Sequence, residues 1–552
     1  MKGSTAPRVP ATNGNRKRCI IRWTPWLLIL FIVLFFQADL LARSKEYSAG
    51  GVNRLSRALE VFGDMWETPM YDSVSTPSKP KRHTGASVDS SANLMRKPTS
   101  CETWLEQNDR IDYSRNFSAR PILVGRGETS HWSAIGDLVD AGLAFLDSGL
   151  VETVQFSICG HGVRRQQGWK DCAIGCEFQG SVALEGTNKA DAIFGLSNEP
   201  GIESVVRSME SAQYYPENNI DNAHGKGITV VMTTSLASDV PVGYFSWAEY
   251  DLMAPPKKKT KTVLAAAFIS NCGGHNFRLE AITKLREFGV SVDSYGACLR
   301  NKDGGHAVNK LETLRDYKFS LAFENSNEDD YVTEKFWQSL VAGSIPVVIG
   351  APNIYNFAPS PKAILHIKSV NDIEHVAKQI MHLATHEDAY NASLSWKYEG
   401  PSDAFKALVD MAVVHSSCRL CIHLGTKLRL EEEQHHKRPC KCEHHSVTTH
   451  HLFVRERGKF EMESVFLRSS NLTVAALHEA ILSKFSFMNY VPIFKSGRPT
   501  AIQGDESLKL YKVYPVGMTQ RQALYSWKFE SDIDLQAYVE KNPCANLEVI
   551  FV

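Results

Sequence analysis

The stretch Tyr317–Gly350, YKFSLAFENSNEDDYVTEKFWQSLVAGSIPVVIG, reads as strand, acidic loop, helix, glycine turn and strand. Phe319–Phe323 is an apolar, aromatic run and Ile345–Ile349 a β-branched one, each suited to a parallel strand buried on both faces. Between them Thr333 is placed as a helix N-cap. Glu334 sets a carboxylate in the first turn, where the helix dipole favours it, and Gly343 is placed to end the helix. Two such strands joined through a helix form the repeating unit of an α/β sheet. Ligands of open α/β sheets sit beyond the carboxyl ends of the strands, so Glu324–Lys335 is expected to face a ligand cleft. Lys335 would add a positive charge to backbone N–H groups already able to hold a phosphate. The pattern alone leaves open an ordinary α/β core with a solvated acidic loop.

The string FENSNEDDYVTEKFWQSLVAGSIPVVIG, residues 323–350, resembles the donor-site signature of the α1,3/α1,4-fucosyltransferases: FENS, a short gap, DY, a β-branched residue, TEK, then G and PVV. The likeness is long and ungapped. It implies two Rossmann-like domains facing a cleft (the GT-B arrangement), GDP-fucose as donor, and inversion at the anomeric carbon. It also implies that Glu334 and Lys335 contact the fucose and the diphosphate, with Asn325 and Tyr331 beside them. Upstream, an apolar strand Val263–Ile269 runs into Ser270 and Asn271, which resemble donor contacts, and a helix-like segment Arg278–Phe288 follows. Arg278 stands where the family keeps a phosphate-binding arginine; a planar guanidinium fork suits a diphosphate better than a point charge.

The family places its general base on a glutamate in a short "E-S" segment, and Glu210 in Ser208–Ala212 matches it. An inverting transfer needs a carboxylate opposite the departing nucleotide to take the acceptor hydroxyl's proton. Glu217, seven residues on, is the rival. Glu328-Asp329-Asp330 invites reading as a divalent-ion loop. The resemblance speaks against it, because Arg278, Lys335 and a helix N-terminus can stabilise the leaving group electrostatically. No essential cofactor is expected, with Mn2+ or Mg2+ as a stimulant at most.

Residues 1–22 carry six basic and no acidic side chains, and Trp23–Phe36 is almost wholly apolar. Extended to Ala42, the apolar segment reaches the roughly 20 residues that span a bilayer, and its basic flank orients the N-terminus to the cytosol. This predicts a type II signal anchor; a cleaved signal peptide, with Ala38 and Ala42 as small residues, is the competing reading. From Arg43 the chain is rich in Ser, Pro, Lys and Arg and reads as a stem, with one short helix at Leu55–Met65. Asn116, Asn391 and Asn471 begin glycosylation sequons compatible with a lumenal chain, in keeping with Golgi membrane placement.

Of 12 cysteines, eleven follow the anchor, which in an oxidising lumen predicts disulfides and one odd thiol. Resemblance to the family pairs Cys418 and Cys421 with two spaced cysteines of the acceptor domain, for which Cys172 and Cys176 are the candidates. Cys440 and Cys442 among His423, His435, His436, His444, His445, His450 and His451 raise a zinc cluster. Their spacing fits no standard finger, so disulfides and solvated histidines are expected instead.

The predicted organisation is a cytosolic tail 1–22, anchor 23–42, stem 43–110, acceptor-side Rossmann-like domain 111–253, donor domain 254–410 and a small α+β extension 411–552. In the first domain Arg120–Val124, Val154–Ser157, Ala190–Leu196 and Ile228–Met232 read as strands, and Ile135–Leu146 as a helix. In the extension His451–Arg455 and Leu547–Val552 read as strands and Val474–Phe485 as a helix. With 61 basic and 61 acidic residues the formal net charge is zero. The run Ala254–Lys259 is then a linker cluster, and no nucleic-acid partner is expected. The extension and the motif ASDVPVGYFSW, residues 237–247, resemble plant core α1,3-fucosyltransferases. That implies transfer of L-fucose from GDP-fucose to the innermost GlcNAc of N-glycans on glycoproteins. An antennal Lewis-type transferase and a non-catalytic lumenal glycan-binding protein are the alternatives, and a stem of this kind permits a homodimer.

Overall fold

The computed structural model describes residues 100–109, 111–126, 167–168, 172–179, 189–245, 250–303, 308–493, 508–512, 519–522 and 529–551. The expected anchor, most of the stem, the helices at 55–65 and 135–146 and the strand at 154–157 lie outside the described residues. Among those described, no single helix is long and apolar enough to cross a membrane.

Two parallel sheets carry the chain. The first runs β2-β3-β1-β4-β5-β6, built from β1 (Ile122–Arg126), β2 (Gln167–Gly168), β3 (Cys176–Phe178), β4 (Ala192–Phe194), β5 (Glu203–Arg207) and β6 (Val230–Met232). Only the β2–β3 pair is antiparallel. The second runs β11-β10-β9-β7-β8, from β7 (Ala265–Ala267), β8 (Val292–Ser294), β9 (Phe319–Phe323), β10 (Ile345–Ile349) and β11 (Leu365–His366), and all its pairs are parallel. In β9, Phe319, Leu321 and Phe323 enter one core with Ile345, Val347 and Ile349, while Ala322 and Val348 enter another with Phe336, Trp337 and Leu340. Alternate side chains thus meet apolar layers on both faces, which is why the two strands are apolar throughout.

The helix between them, Glu334–Ala342, has the expected ends: the Thr333 side chain accepts from the Lys335 N–H, and Gly343 closes it at φ 63°. Gly350, just past β10, meets a different demand. A Cβ there would come within 2.7 Å of Glu324 Cγ, so the glycine lets a glutamate lie against the strand end.

The extension is a mixed sheet of β12 (Lys441–His444), β13 (Val447–Glu456), β14 (Glu463–Arg468), β15 (Leu508–Lys512) and β16 (Asn546–Phe551), covered by helices Val474–Phe487 and Asp532–Lys541. Its boundary differs from the one expected. The helix Ser416–Gln434, assigned above to the extension, buries Cys418, Leu420, Cys421 and Leu424 in the core of the first sheet. The stem is also shorter than 43–110, because Ser100–Asn108 is a helix tied to β12 by Cys101–Cys442.

Cys172 pairs with Cys418 and Cys176 with Cys421, locking that long helix to the first sheet. Cys272–Cys298 and Cys440–Cys544 complete the described disulfides. Cys440 and Cys442 are therefore bridged rather than zinc-bound, and the remaining cysteines, Cys19 and Cys159, lie outside the described residues. His435, His436, His444 and His445 are exposed as expected, but His423 and His451 are buried. The His451 ring lies against Phe453 and Phe466, and Nε2 bonds Ser464. Asn116, Asn391 and Asn471 are all exposed.

Candidate active site

The expected site residues follow the carboxyl ends of parallel strands in both sheets, where ligands of open α/β sheets bind. Glu210 lies three residues beyond β5, Ser270 and Asn271 three and four beyond β7, and Asn325 two beyond β9. Buried Asn218 holds the Glu210 turn in place, donating from Nδ2 to the Glu210 carbonyl at 2.9 Å and to Ser208 Oγ at 2.8 Å. Glu210 itself is exposed, as a general base open to an acceptor would be.

Contacts across the seam bring the two halves together. The Tyr331 hydroxyl donates to Glu210 Oε2 at 3.2 Å, Ser211 Oγ to Glu328 Oε2 at 2.5 Å, and Gln213 Nε2 to the Asn327 carbonyl at 2.6 Å. Tyr214 stacks on His275 with ring centroids 4.0 Å apart, and its hydroxyl donates to the Gly273 carbonyl. Burial, with Glu324 and Glu210 nearby, pushes the Tyr331 phenol far up, so it remains a hydrogen-bond donor. Glu217, the rival base, is exposed on the short turn Pro216–Asn218 and makes no hydrogen bond or ion pair among the described residues.

Arg278 opens the helix Arg278–Glu287 and is buried. It donates from Nη2 to the Asn271 carbonyl and from Nη1 to the Phe323 carbonyl at 3.4 Å, so it ties the loop that follows β7 to the end of β9. Among the described residues its Nε has no hydrogen-bond partner, nor do Asn325 Oδ1 and Ser326 Oγ in the loop that follows Phe323. Buried polar atoms of this kind normally find partners, and their clustering here suits a polar ligand. Gly274 passes so close that a Cβ would come 2.9 Å from Arg278 Nε. Ser270 and Asn271 are exposed, with Asn271 Oδ1 accepting from the Gly273 N–H.

Lys335 is less free than the sequence suggested. Its Nζ lies 3.1 Å from Glu324 Oε2 and 3.4 Å from Glu334 Oε1, and donates to Thr333 Oγ1 at 2.9 Å. Lys310, a residue not singled out from sequence, lies 3.5 Å from Glu334 Oε1. Burial pushes wholly buried Glu324 up toward its neutral form. Burial opposes ionisation of Glu334 as well, but Lys335 and Lys310 outweigh it and hold that carboxyl low. For Lys335 the two carboxylates likewise outweigh burial and keep it protonated. Lys335 and Lys310 stand beside the backbone N–H groups at the start of helix Glu334–Ala342, an arrangement of donors and cations that suits a diphosphate.

Asp330 does not behave as a metal ligand of an acidic loop; it is buried and bonded to Leu236 N–H at 2.7 Å, Asn353 Nδ2 at 2.8 Å and Arg521. Sequence gave no signal for Lys310 or Arg521, because their partners are 24 and 191 residues distant.

A fucosyltransferase-like protein of Arabidopsis thaliana is 46% identical over 564 residues, covering 100% of this chain and 98% of that protein. The chain belongs to the family of fucosyltransferases. The family model "Glycosyltransferase family 10 (fucosyltransferase) C-term" matches residues 256–437 of this fucosyltransferase-family chain, the span that holds Arg278, Glu334 and Lys335. Two further relatives match less of it. Glycoprotein 3-alpha-L-fucosyltransferase A of Drosophila melanogaster is 31% identical over 205 residues, 35% of the chain and 39% of that protein. GDP-fucose protein O-fucosyltransferase 3 of Xenopus laevis is 31% identical over 207 residues, 34% of the chain and 44% of that protein.

Proposed function

We propose that this protein transfers L-fucose from GDP-β-L-fucose, with inversion, in α1,3 linkage to the innermost GlcNAc of N-glycans on glycoproteins. The observation that carries the reading is the hydrogen bond from Tyr331 to Glu210, which brings an exposed carboxylate of the first sheet to the cationic loop of the second. The donor diphosphate lies against Arg278, Lys335 and Lys310 and the N-terminus of helix Glu334–Ala342, with the fucose toward Glu334. As the acceptor hydroxyl attacks the anomeric carbon, its proton passes to Glu210 and the bond to the diphosphate breaks on the opposite face. General base help of this kind is worth about 10²- to 10⁴-fold in rate. Fixed cations stabilise the charge that develops on GDP, so no metal is essential. The Drosophila relative supports the linkage.

Residues 23–42 anchor the enzyme in the Golgi membrane with its catalytic part lumenal, in keeping with the exposed sequons and the disulfides. A second reading, transfer to a protein hydroxyl, draws on the equal likeness to the Xenopus protein, and the same base and cations would serve it. Mass spectrometry of a defined N-glycopeptide after incubation with GDP-fucose decides. Fucose on the innermost GlcNAc is the expected product; fucose on an antenna or on a peptide side chain overturns the acceptor assignment. No transfer, together with no rise in melting temperature on adding GDP, overturns the catalytic reading in favour of a glycan-binding protein.

A further inference from the structure

Asp330 ends the acidic loop immediately before Tyr331, and it is the point where three parts of the fold meet. Its φ is 66°, in the left-handed region where a non-glycine residue needs support from its surroundings. That support comes from Leu236, which follows β6, from Asn353, which follows β10, and from Arg521 of the extension. Leu236 donates its backbone N–H to Oδ2 at 2.7 Å; Asn353 donates from Nδ2 to Oδ1 at 2.8 Å and accepts the Asp330 N–H on Oδ1 at 3.0 Å. Arg521 Nη2 donates to Oδ2, and the Arg521 backbone N–H donates to the Leu236 carbonyl at 2.9 Å. The arginine is also seated from behind, because neighbouring Gln520 is buried in a cleft lined by Pro241, Arg419, His423 and Glu548.

A charged group on a buried carboxylate 191 residues away is a long reach for mere surface pairing. What it braces is the torsion that aims Tyr331. We infer that Arg521 is a positioning residue: the extension, through Arg521 on Asp330, holds the 330–331 turn so that the Tyr331 hydroxyl orients the Glu210 carboxylate toward the acceptor. This rests on the catalytic reading above and gives the extension a role in turnover. Arg521 bonds Asp330 and Leu236, which are not among the residues proposed to hold donor or acceptor. Its loss should therefore reach the proton-transfer step and spare nucleotide binding, since the 334–342 helix keeps its own N-cap and ion pairs.

The test uses the full chain with Arg521→Ala and Arg521→Lys. In the alanine variant kcat falls about tenfold, as small misplacements of a catalytic group do, while KM for GDP-fucose and Kd for GDP stay within about twofold. Lysine restores part of kcat. Hydrogen exchange quickens at residues 328–333 and not in β9 or β10. An unchanged kcat with unchanged exchange overturns the inference. So does a loss of GDP affinity in step with kcat, which would make Arg521 a general support of the donor half. Should the wild type transfer no fucose, the catalytic reading falls by itself. The exchange measurement still decides whether Arg521 holds the turn: faster exchange confined to 328–333 supports it, and unchanged exchange overturns it.

Discussion

The Tyr331 hydroxyl and the Glu210 carboxylate lie 3.2 Å apart although 121 residues separate them, and theirs is a hydrogen bond between the two parallel sheets' ligand edges. Tyr331 lies on the loop that runs from Glu324 to the helix holding Lys335, so the contact couples a base candidate to the candidate nucleotide pocket. A glutamate that is exposed yet held by a buried phenol can both receive a proton and keep its aim.

Glu210→Gln keeps the shape and the Tyr331 contact but removes the basic oxygen. Turnover should fall by about 10²- to 10⁴-fold, while GDP affinity, measured by calorimetry, should change less than about twofold. Near-normal turnover in this variant would remove Glu210 from the mechanism, and Glu217→Gln would then be the next variant to assay.

Arg278→Ala removes a buried guanidinium that ties the loop after β7 to the end of β9. GDP affinity should fall by at least about tenfold, the scale of one charge-assisted hydrogen bond. Arg278→Lys should fail to restore it, because a single ammonium cannot span two carbonyls and a phosphate in one plane. Lys335→Ala should weaken GDP too, but by less, since Lys310 remains beside Glu334. Calorimetry on the three variants ranks them.

Cys172–Cys418 and Cys176–Cys421 close nearly the same loop, with separations of 246 and 245 residues. Replacing either pair with serine should cost modestly, because the other still closes the loop. Replacing both should cost about 5 kcal/mol, the loop-closure entropy of a crosslink this long. Thermal melts of the two double and one quadruple variant should therefore be strongly non-additive.

Burial pushes His366, His423 and His451 down to about 4. Between pH 4 and about 6.5 the unfolded chain protonates these imidazoles and the folded chain does not. The unfolded state then binds more protons, so stability falls as pH drops through that window and levels off above it. Urea midpoints at pH 7.5, 6.5, 5.5 and 4.5 should decline in that order. His423→Gln should flatten the decline.

The strands Phe319–Phe323 and Ile345–Ile349, the Thr333 cap and the Gly343 stop were legible because each rests on side chains within one turn or one strand. The strand read at Val263–Ile269 narrows to Ala265–Ala267, where hydrogen bonding rather than hydropathy sets the ends. The disulfide partners of Cys418 and Cys421 came from family likeness, since no local pattern could choose among eleven cysteines.

Local chemistry wrote the strand–helix–strand unit into one continuous stretch, because caps, turns and apolar periodicity act over a few residues. Chain folding alone settled how charged groups are partnered. Lys335, apparently a free cation, is met by Glu324 and Glu334; Asp330, apparently a solvated acid, is buried under Arg521; Glu210, one glutamate among many, is aimed by Tyr331. Electrostatic partnership depends on distance in space and on loss of water, and neither is encoded by spacing along the chain.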